Sequence, residues 1–170
     1  MKPRKPLWTK GLFLAQHHLQ AQDRYHERLL AARLESVLPY AWGVVELEID
    51  EAALRAGQLR VARLDAILPD GTPLMVGDGQ VDDVLPARPI DAFTGKNLTV
   101  YVALSREDGS TASVDFSGDP AATSRFIATE ARELDSTTAK EERPVAWLRH
   151  NARLAFGAEP LDRFDALPVA

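Results

Sequence analysis

The hydrophobic period of this chain changes once, at Pro39, and that switch limits the folds open to it. Before the proline, Leu12, Ala15, Leu19, His26, Leu30, Leu34 and Val37 fall along one helical stripe with Tyr25 and Leu29 on its flank, so 12–38 reads as a helical segment. Gln22 and Asp23 interrupt the stripe, and a break is expected near them. Residues 1–11 read as an extended arm, because Pro3 and Pro6 disfavour helix before them and Gly11 loosens the chain after it. After Pro39 the apolar residues recur every second position, the period of a half-buried strand.

In Gly43–Asp50, Val45, Leu47 and Ile49 are expected to face a core while Glu46, Glu48 and Asp50 face away. Gln58–Leu68 starts in one phase (Leu59, Val61) and finishes in the other (Leu64, Ala66, Leu68), which requires a bulge near Ala62–Arg63. Pro69-Asp70-Gly71 is a turn: proline presets φ, aspartate bonds its own backbone, and glycine takes a positive φ. Strands are expected at Thr72–Val76, Asn97–Ser105, Ala112–Phe116, Arg125–Leu134 and Pro144–Phe156, with a turn at Asp108-Gly109 and a long loop over Gly77–Ile90. Trp42 and Trp147 sit in strand patterns and are expected in the core. The tail, with Leu161, Phe164, Leu167 and Val169, is apolar enough that it must pack. Short strands after one helix predict a single, mainly β domain over 1–170, an antiparallel sandwich or barrel-like body over 42–170.

Charge and composition narrow the function. The net charge of −5 is uneven: residues 1–38 carry seven Lys/Arg against three Asp/Glu, which leaves −9 for the remainder. A basic arm beside an acidic body suits an acidic protein surface, an anionic lipid or nucleic acid. Nucleic acid fits worst, because four cations interrupted by prolines, with no basic aromatic face, make a poor footprint. No run of apolar residues is long enough to span a membrane, and Lys10 interrupts any secretory leader, so a protein of the cytoplasm without membrane insertion is expected. The chain has no cysteine. That excludes disulfides, thiolate metal sites and cysteine nucleophiles.

The remaining chemistry-bearing residues are spaced wrongly for catalysis. His17 and His18 diverge by about 100° on a helix, and His26 lies about 13 Å further along it, so neither pairing makes a metal site; His26 is expected to be partly buried. Glu46, Glu48 and Asp50 resemble an acid–base set, yet nothing supplies the apolar pocket that would separate their pKa values. Asp78–Asp83 lacks the ligand spacing of a calcium loop. The sequon at Asn97 falls within a predicted strand. No cofactor, metal or enzymatic activity is therefore expected. The unusual feature is the arm, where Trp8, Leu12, Phe13 and Leu14 offer more apolar surface than one stripe buries. They anchor either the domain's own surface or a partner's groove.

Four blocks carry a resemblance to a known family. Leu7–Tyr25 (LWTKGLFLAQHHLQAQDRY) is similar to the start of the type VI secretion baseplate family TssK, also called ImpJ or VasE, with Ala15 where the family often has proline and His18 where it has phenylalanine. Pro39–Asp50 resembles its Pro-Tyr-x-Trp-Gly strand, Ile67–Pro73 its Pro-Asp-Gly turn, and Leu154–Phe164 with Leu167–Ala170 its Leu-Phe-Gly-x-Glu and Leu-Pro-Ile-Ala blocks. The resemblance implies a β-sandwich shoulder related to those of phage receptor-binding proteins, followed in complete subunits by a neck and a C-terminal head beyond the stretch matched here. It also implies a homotrimer in the complete subunit, a structural adaptor role, wedge partners TssF and TssG on the shoulder side, and contact with the membrane complex only through the head. The expected partner-binding residues are Trp8, Leu12, Phe13, Leu14, Gln16, His17 and Gln20. Two other readings are a sandwich that binds sugar or another small ligand, and a hydrolase using the Glu46/Glu48/Asp50 face.

Overall fold

A computed structural model describes residues 4–77, 83–90, 98–157 and 159–170. The chain forms two compact units, Met1–Ala41 and Trp42–Ala170. In the first, helix α1 spans Gln16–Val37 and buries none of its residues. It starts later than the apolar stripe suggests and runs unbroken through Gln22 and Asp23, since neither residue removes a backbone donor. The arm is not extended throughout: the Leu12 amide donates to the Thr9 carbonyl, and Gly11 takes the positive φ of 85° that this turn needs.

In the second unit, strand β1 (Gly43–Ile49) leads into helix α2 (Glu51–Arg55), then β2 (Gln58–Leu59), β3 (Val61–Ile67), β4 (Pro73–Val76) and β5 (Arg88–Pro89). Next come β6 (Val100–Ser105), β7 (Val114–Asp115), β8 (Phe126–Leu134), β9 (Glu142–His150), β10 (Arg153–Phe156) and β11 (Phe164–Pro168). Two antiparallel sheets, β1-β3-β4 and β10-β6-β11, form the sandwich. Leu59, Val61, Leu64, Leu68 and Leu74 from the first part meet Val102, Leu104, Leu154, Phe156 and Leu167 from the second in one core. A third sheet, β7-β8-β9, is mostly the long β8–β9 hairpin; its β7–β8 pairing is parallel, a departure from an all-antiparallel body.

Local chemistry explains the strands. Between β1 and β3 the pairing runs from Glu48–Arg63 to Ile49–Val61, so Ala62 is the extra residue, and the phase of β3 inverts there as its sequence requires. The turn after β3 forms as expected, with the Gly71 amide donating to the Leu68 carbonyl and the Thr72 amide to Asp70 Oδ1. The tail packs as β11 along β6, and Leu167 is fully enclosed. A β-carbon at Gly77 would collide with the carbonyl oxygen of bulged Ala62, and Gly77 has a φ of 93°. Gly77→Ala is expected to lower stability by about 1–3 kcal/mol from backbone conformation alone, measured by denaturant unfolding.

Several expectations fail for tertiary reasons. Val45 is 73% exposed, because it is the unpaired residue of a second irregularity between Val44 and Glu46, and only Leu47 and Ile49 reach the core. Pro144–Phe156 is two strands rather than one. At Asn151 the chain leaves the third sheet: the Asn151 amide donates to the Arg125 carbonyl, and Nδ2 donates to the Ala122 carbonyl. Helix α2 is an element beyond those expected, although its signals are local: the Asp50 side chain accepts from the Ala52 and Ala53 amides, and Gly57 lies past its end with a φ of 81°. Asn97 and residues 78–82 of the acidic loop lie outside the described residues. Asp83, at the end of that loop, clamps β4 to β9 by accepting from the Met75 amide through Oδ2 and the His150 amide through Oδ1.

Arg125 holds the two sheets at one end. Just before β8 and only 7% exposed, it reaches Asp70 Oδ2 at 2.6 Å and Thr72 Oγ1 at 2.6 Å beside the β3–β4 turn. Its other nitrogen reaches the Ser105 carbonyl at 2.8 Å and Asp165 Oδ2 at 3.3 Å on the opposite sheet. Burial pushes the Asp70 carboxyl up. The Thr72 amide, the Arg125 charge and the hydrogen bonds from both side chains outweigh it, holding Asp70 below its ordinary value. A carboxyl lowered by folding adds stability that is complete above its unfolded pKa, about 3.9, and is lost as pH falls through the folded value. Denaturation midpoints are therefore expected to drop more steeply below about pH 4 in the native chain than in Asp70→Asn.

Candidate partner-binding surface

The residues singled out in the arm are all exposed. Phe13 is 90% exposed, Leu14 56% and Trp8 45%, while Leu12 is at the edge of exposure and Gln16, His17 and Gln20 face solvent. The arrangement has a physical cause. The Thr9–Leu12 turn directs the chain back toward the start of α1, where the Trp8 ring lies 6.1 Å from that of His18. Ala15 occupies the N-cap position without a side-chain oxygen to offer, and His18 supplies the reciprocal half of a cap by accepting from the Ala15 amide through Nδ1 at 3.1 Å. His18 thus fixes the first turn and leans on Trp8. It is absent from the expected partner-binding residues, and its spacing of three from Ala15 was the available signal of this role.

Along α1 the apolar surface continues through Leu19, Leu30, Leu34 and Val37, each exposed. His26 is exposed as well, against the expectation of partial burial; its ring lies 5.4 Å from that of Tyr25. Arg4, Lys5 and Lys10 of the same arm are exposed too. The result is a segment with exposed bulky apolar groups and exposed cations.

The alternative sites look different once built. Glu46 pairs with Arg63 at 3.3 Å, and Asp50, beyond the strand end, caps α2, so the three acidic residues do not form one face. No group of three or more His, Asp or Glu able to hold a metal occurs among the described residues. Trp42 and Trp147, expected in the core, are 43% and 46% exposed. Trp147 lies on the ribbon formed by β8 and β9, whose two faces both carry apolar groups: Trp147 and Leu148 are adjacent, and alternation sends them to opposite sides. On the same face as the Thr129–Trp147 rung, the next pairs along the ribbon are Ala131 with Val145 and Ile127 with Arg149.

Among the described residues no helix is long and apolar enough to cross a membrane. The fold and this segment define a class: a β-sandwich module preceded in the chain by a helix and an arm with exposed apolar side chains. The chain belongs to the bacterial type VI secretion family of VC_A0110, EvfL, ImpJ and VasE, whose family model matches residues 18–170. It is 32% identical over 166 residues to the type VI secretion system baseplate component TssK1 of Pseudomonas aeruginosa, covering 96% of this chain and 36% of that protein. The chain thus spans about a third of the relative's length. A crystal structure of TssK superposes with a TM-score of 0.87 at 27% identity, over 98% of this chain and 38% of that one. A chain of a TssK–TssF–TssG baseplate subcomplex superposes with a TM-score of 0.83 at 25% identity, over 99% and 56%.

Proposed function

We propose that this module is a structural adaptor of the type VI secretion baseplate, that it joins the wedge proteins TssF and TssG, and that Leu7–Gln20 carries the contact. The supporting observation is the exposure of Trp8, Phe13 and Leu14, just before a helix that buries none of its own residues. A large apolar side chain left in water beside others of its kind gains most when a partner covers it, at roughly 25 cal/mol per Å² of apolar area removed from water. The presence of TssF and TssG in a solved complex with a similar chain supplies the partner class.

The role needs no chemistry. Binding is carried by the aromatic anchors, while Arg4, Lys5 and Lys10 speed encounter with an acidic surface and make the association rate fall as salt rises. The direct test is capture of a purified TssF–TssG wedge by the immobilised chain. Retention that disappears when residues 1–20 are deleted supports the assignment to the arm. Retention unchanged by that deletion moves the contact onto the sandwich, and no retention at all removes the wedge as partner.

A further inference from the structure

Away from the arm, a cleft of about 580 Å³ opens in the sandwich unit between the loop that carries Pro120 and the strands β5 and β10. Two arginines line it. Arg88 is satisfied: its Nη1 donates to both oxygens of Glu159, at 2.8 and 3.0 Å, and to the Leu154 carbonyl at 2.9 Å. Its guanidinium also lies 4.7 Å from the centre of the Phe156 ring, so it is held in place from two sides.

Arg153 is in the opposite condition. Its guanidinium lies 4.6 Å from the centre of the Phe164 ring, and among the described residues it makes no hydrogen bond and no ion pair. Burial, and after it the charge of Arg88, depress its pKa, with Glu159 partly opposing. The other carboxylate of the cleft, Asp119, accepts from the Ala121 amide through Oδ1 and shapes its own loop. The site therefore contains a half-buried cation, stacked on an aromatic face, whose donors have no protein partner among the described residues. Pro86, Pro120 and Ala121 supply apolar wall beside it.

We infer that this cleft binds an acidic peptide segment of a partner protein, with one carboxylate held by Arg153 and a neighbouring apolar side chain against the two prolines. A guanidinium presents a planar fork that matches a carboxylate with two parallel hydrogen bonds, and such a pair strengthens where water is partly excluded. The apolar wall selects a carboxylate carried on a chain over a free inorganic anion. This site is separate from the arm, and its failure or success leaves the wedge reading untouched.

The probe is a blocked tetrapeptide, proline–glutamate–leucine–proline, titrated into the full chain while the Arg153 Nε–H resonance is followed by NMR. The glutamate peptide is expected to shift that resonance saturably, and the same peptide with glutamine in place of glutamate is expected to bind at least about tenfold more weakly. Arg153→Gln should lose the binding and Arg153→Lys retain a weaker form of it. The glutamine peptide, measured on the unaltered chain, keeps the comparison valid if a variant folds poorly. Equal shifts from both peptides, or none from either, overturn the proposal. So does inorganic phosphate that produces the same shift and displaces the peptide at equal concentration, since the cleft would then be a simple anion site.

Discussion

The double variant Trp8→Ala, Phe13→Ala is expected to bind the TssF–TssG wedge at least about thirtyfold more weakly than the native chain, with its melting temperature nearly unchanged. The two readouts separate because of where the rings sit. Phe13 is 90% exposed, so its removal leaves no cavity in this chain. Trp8 gives up a contact with His18 at the start of α1, and the Ala15–His18 hydrogen bond that holds that turn remains. An aromatic anchor truncated to alanine at an interface costs about 2–4 kcal/mol of binding, so even partial anchoring by each ring reaches the stated loss. Surface plasmon resonance gives the affinity and calorimetry the stability. Replacing Arg4 and Lys5 by glutamine should instead slow association and flatten its salt dependence while leaving dissociation alone. A double variant that melts much earlier places these rings in the chain's own packing. One that changes neither quantity leaves the arm without a role.

The largest stability effect is expected at Arg125. Arg125→Met keeps an unbranched side chain of similar reach but removes every donor, leaving Asp70 and Asp165 facing one another's sheet without the cation between them. Removing one partner from a buried ion pair destabilises by about 3–5 kcal/mol, because the charge left behind stays desolvated. For a chain of this size the melting temperature should fall by on the order of 10 °C. Asp165 keeps Arg106, whose Nε lies 2.9 Å from Oδ1, so most of the loss should come from Asp70. The pair Asp70→Asn with Arg125→Met should then cost clearly less than the two single changes added together, which a double-mutant cycle by denaturant unfolding measures. Additive losses would mean that Arg125 acts through Ser105 and packing, and that the ion pair is incidental.

Much of the architecture is legible in the sequence. The switch of period at Pro39, the phase inversion that demanded a bulge at Ala62–Arg63, and the Pro69-Asp70-Gly71 turn each depend on residues within a few positions of one another. Helix α2 belongs to the same local kind: Asp50 continues the alternation of Glu46 and Glu48 in sequence, yet its side chain caps the helix and Gly57 follows its end. The apolar content of the arm was visible too, but the turn that brings Trp8 to His18 depends on how Gly11 bends the chain.

The linear order therefore determined each element's period, its phase, and the points where turns are cheap, since these arise from backbone sterics and side-chain alternation over short spans. Only the tertiary structure decided which apolar faces found a cover. Trp147 and Phe156 stand in equally strand-like surroundings, yet one lies on an uncovered ribbon and the other in the core, because coverage depends on strands far away in sequence. The same is true of charge: Arg125 is paired with carboxylates 55 and 40 residues distant, whereas Arg153 comes to rest near the like charge of Arg88. Burial and pairing are properties of three-dimensional neighbours, and for these side chains the neighbours are supplied by the fold.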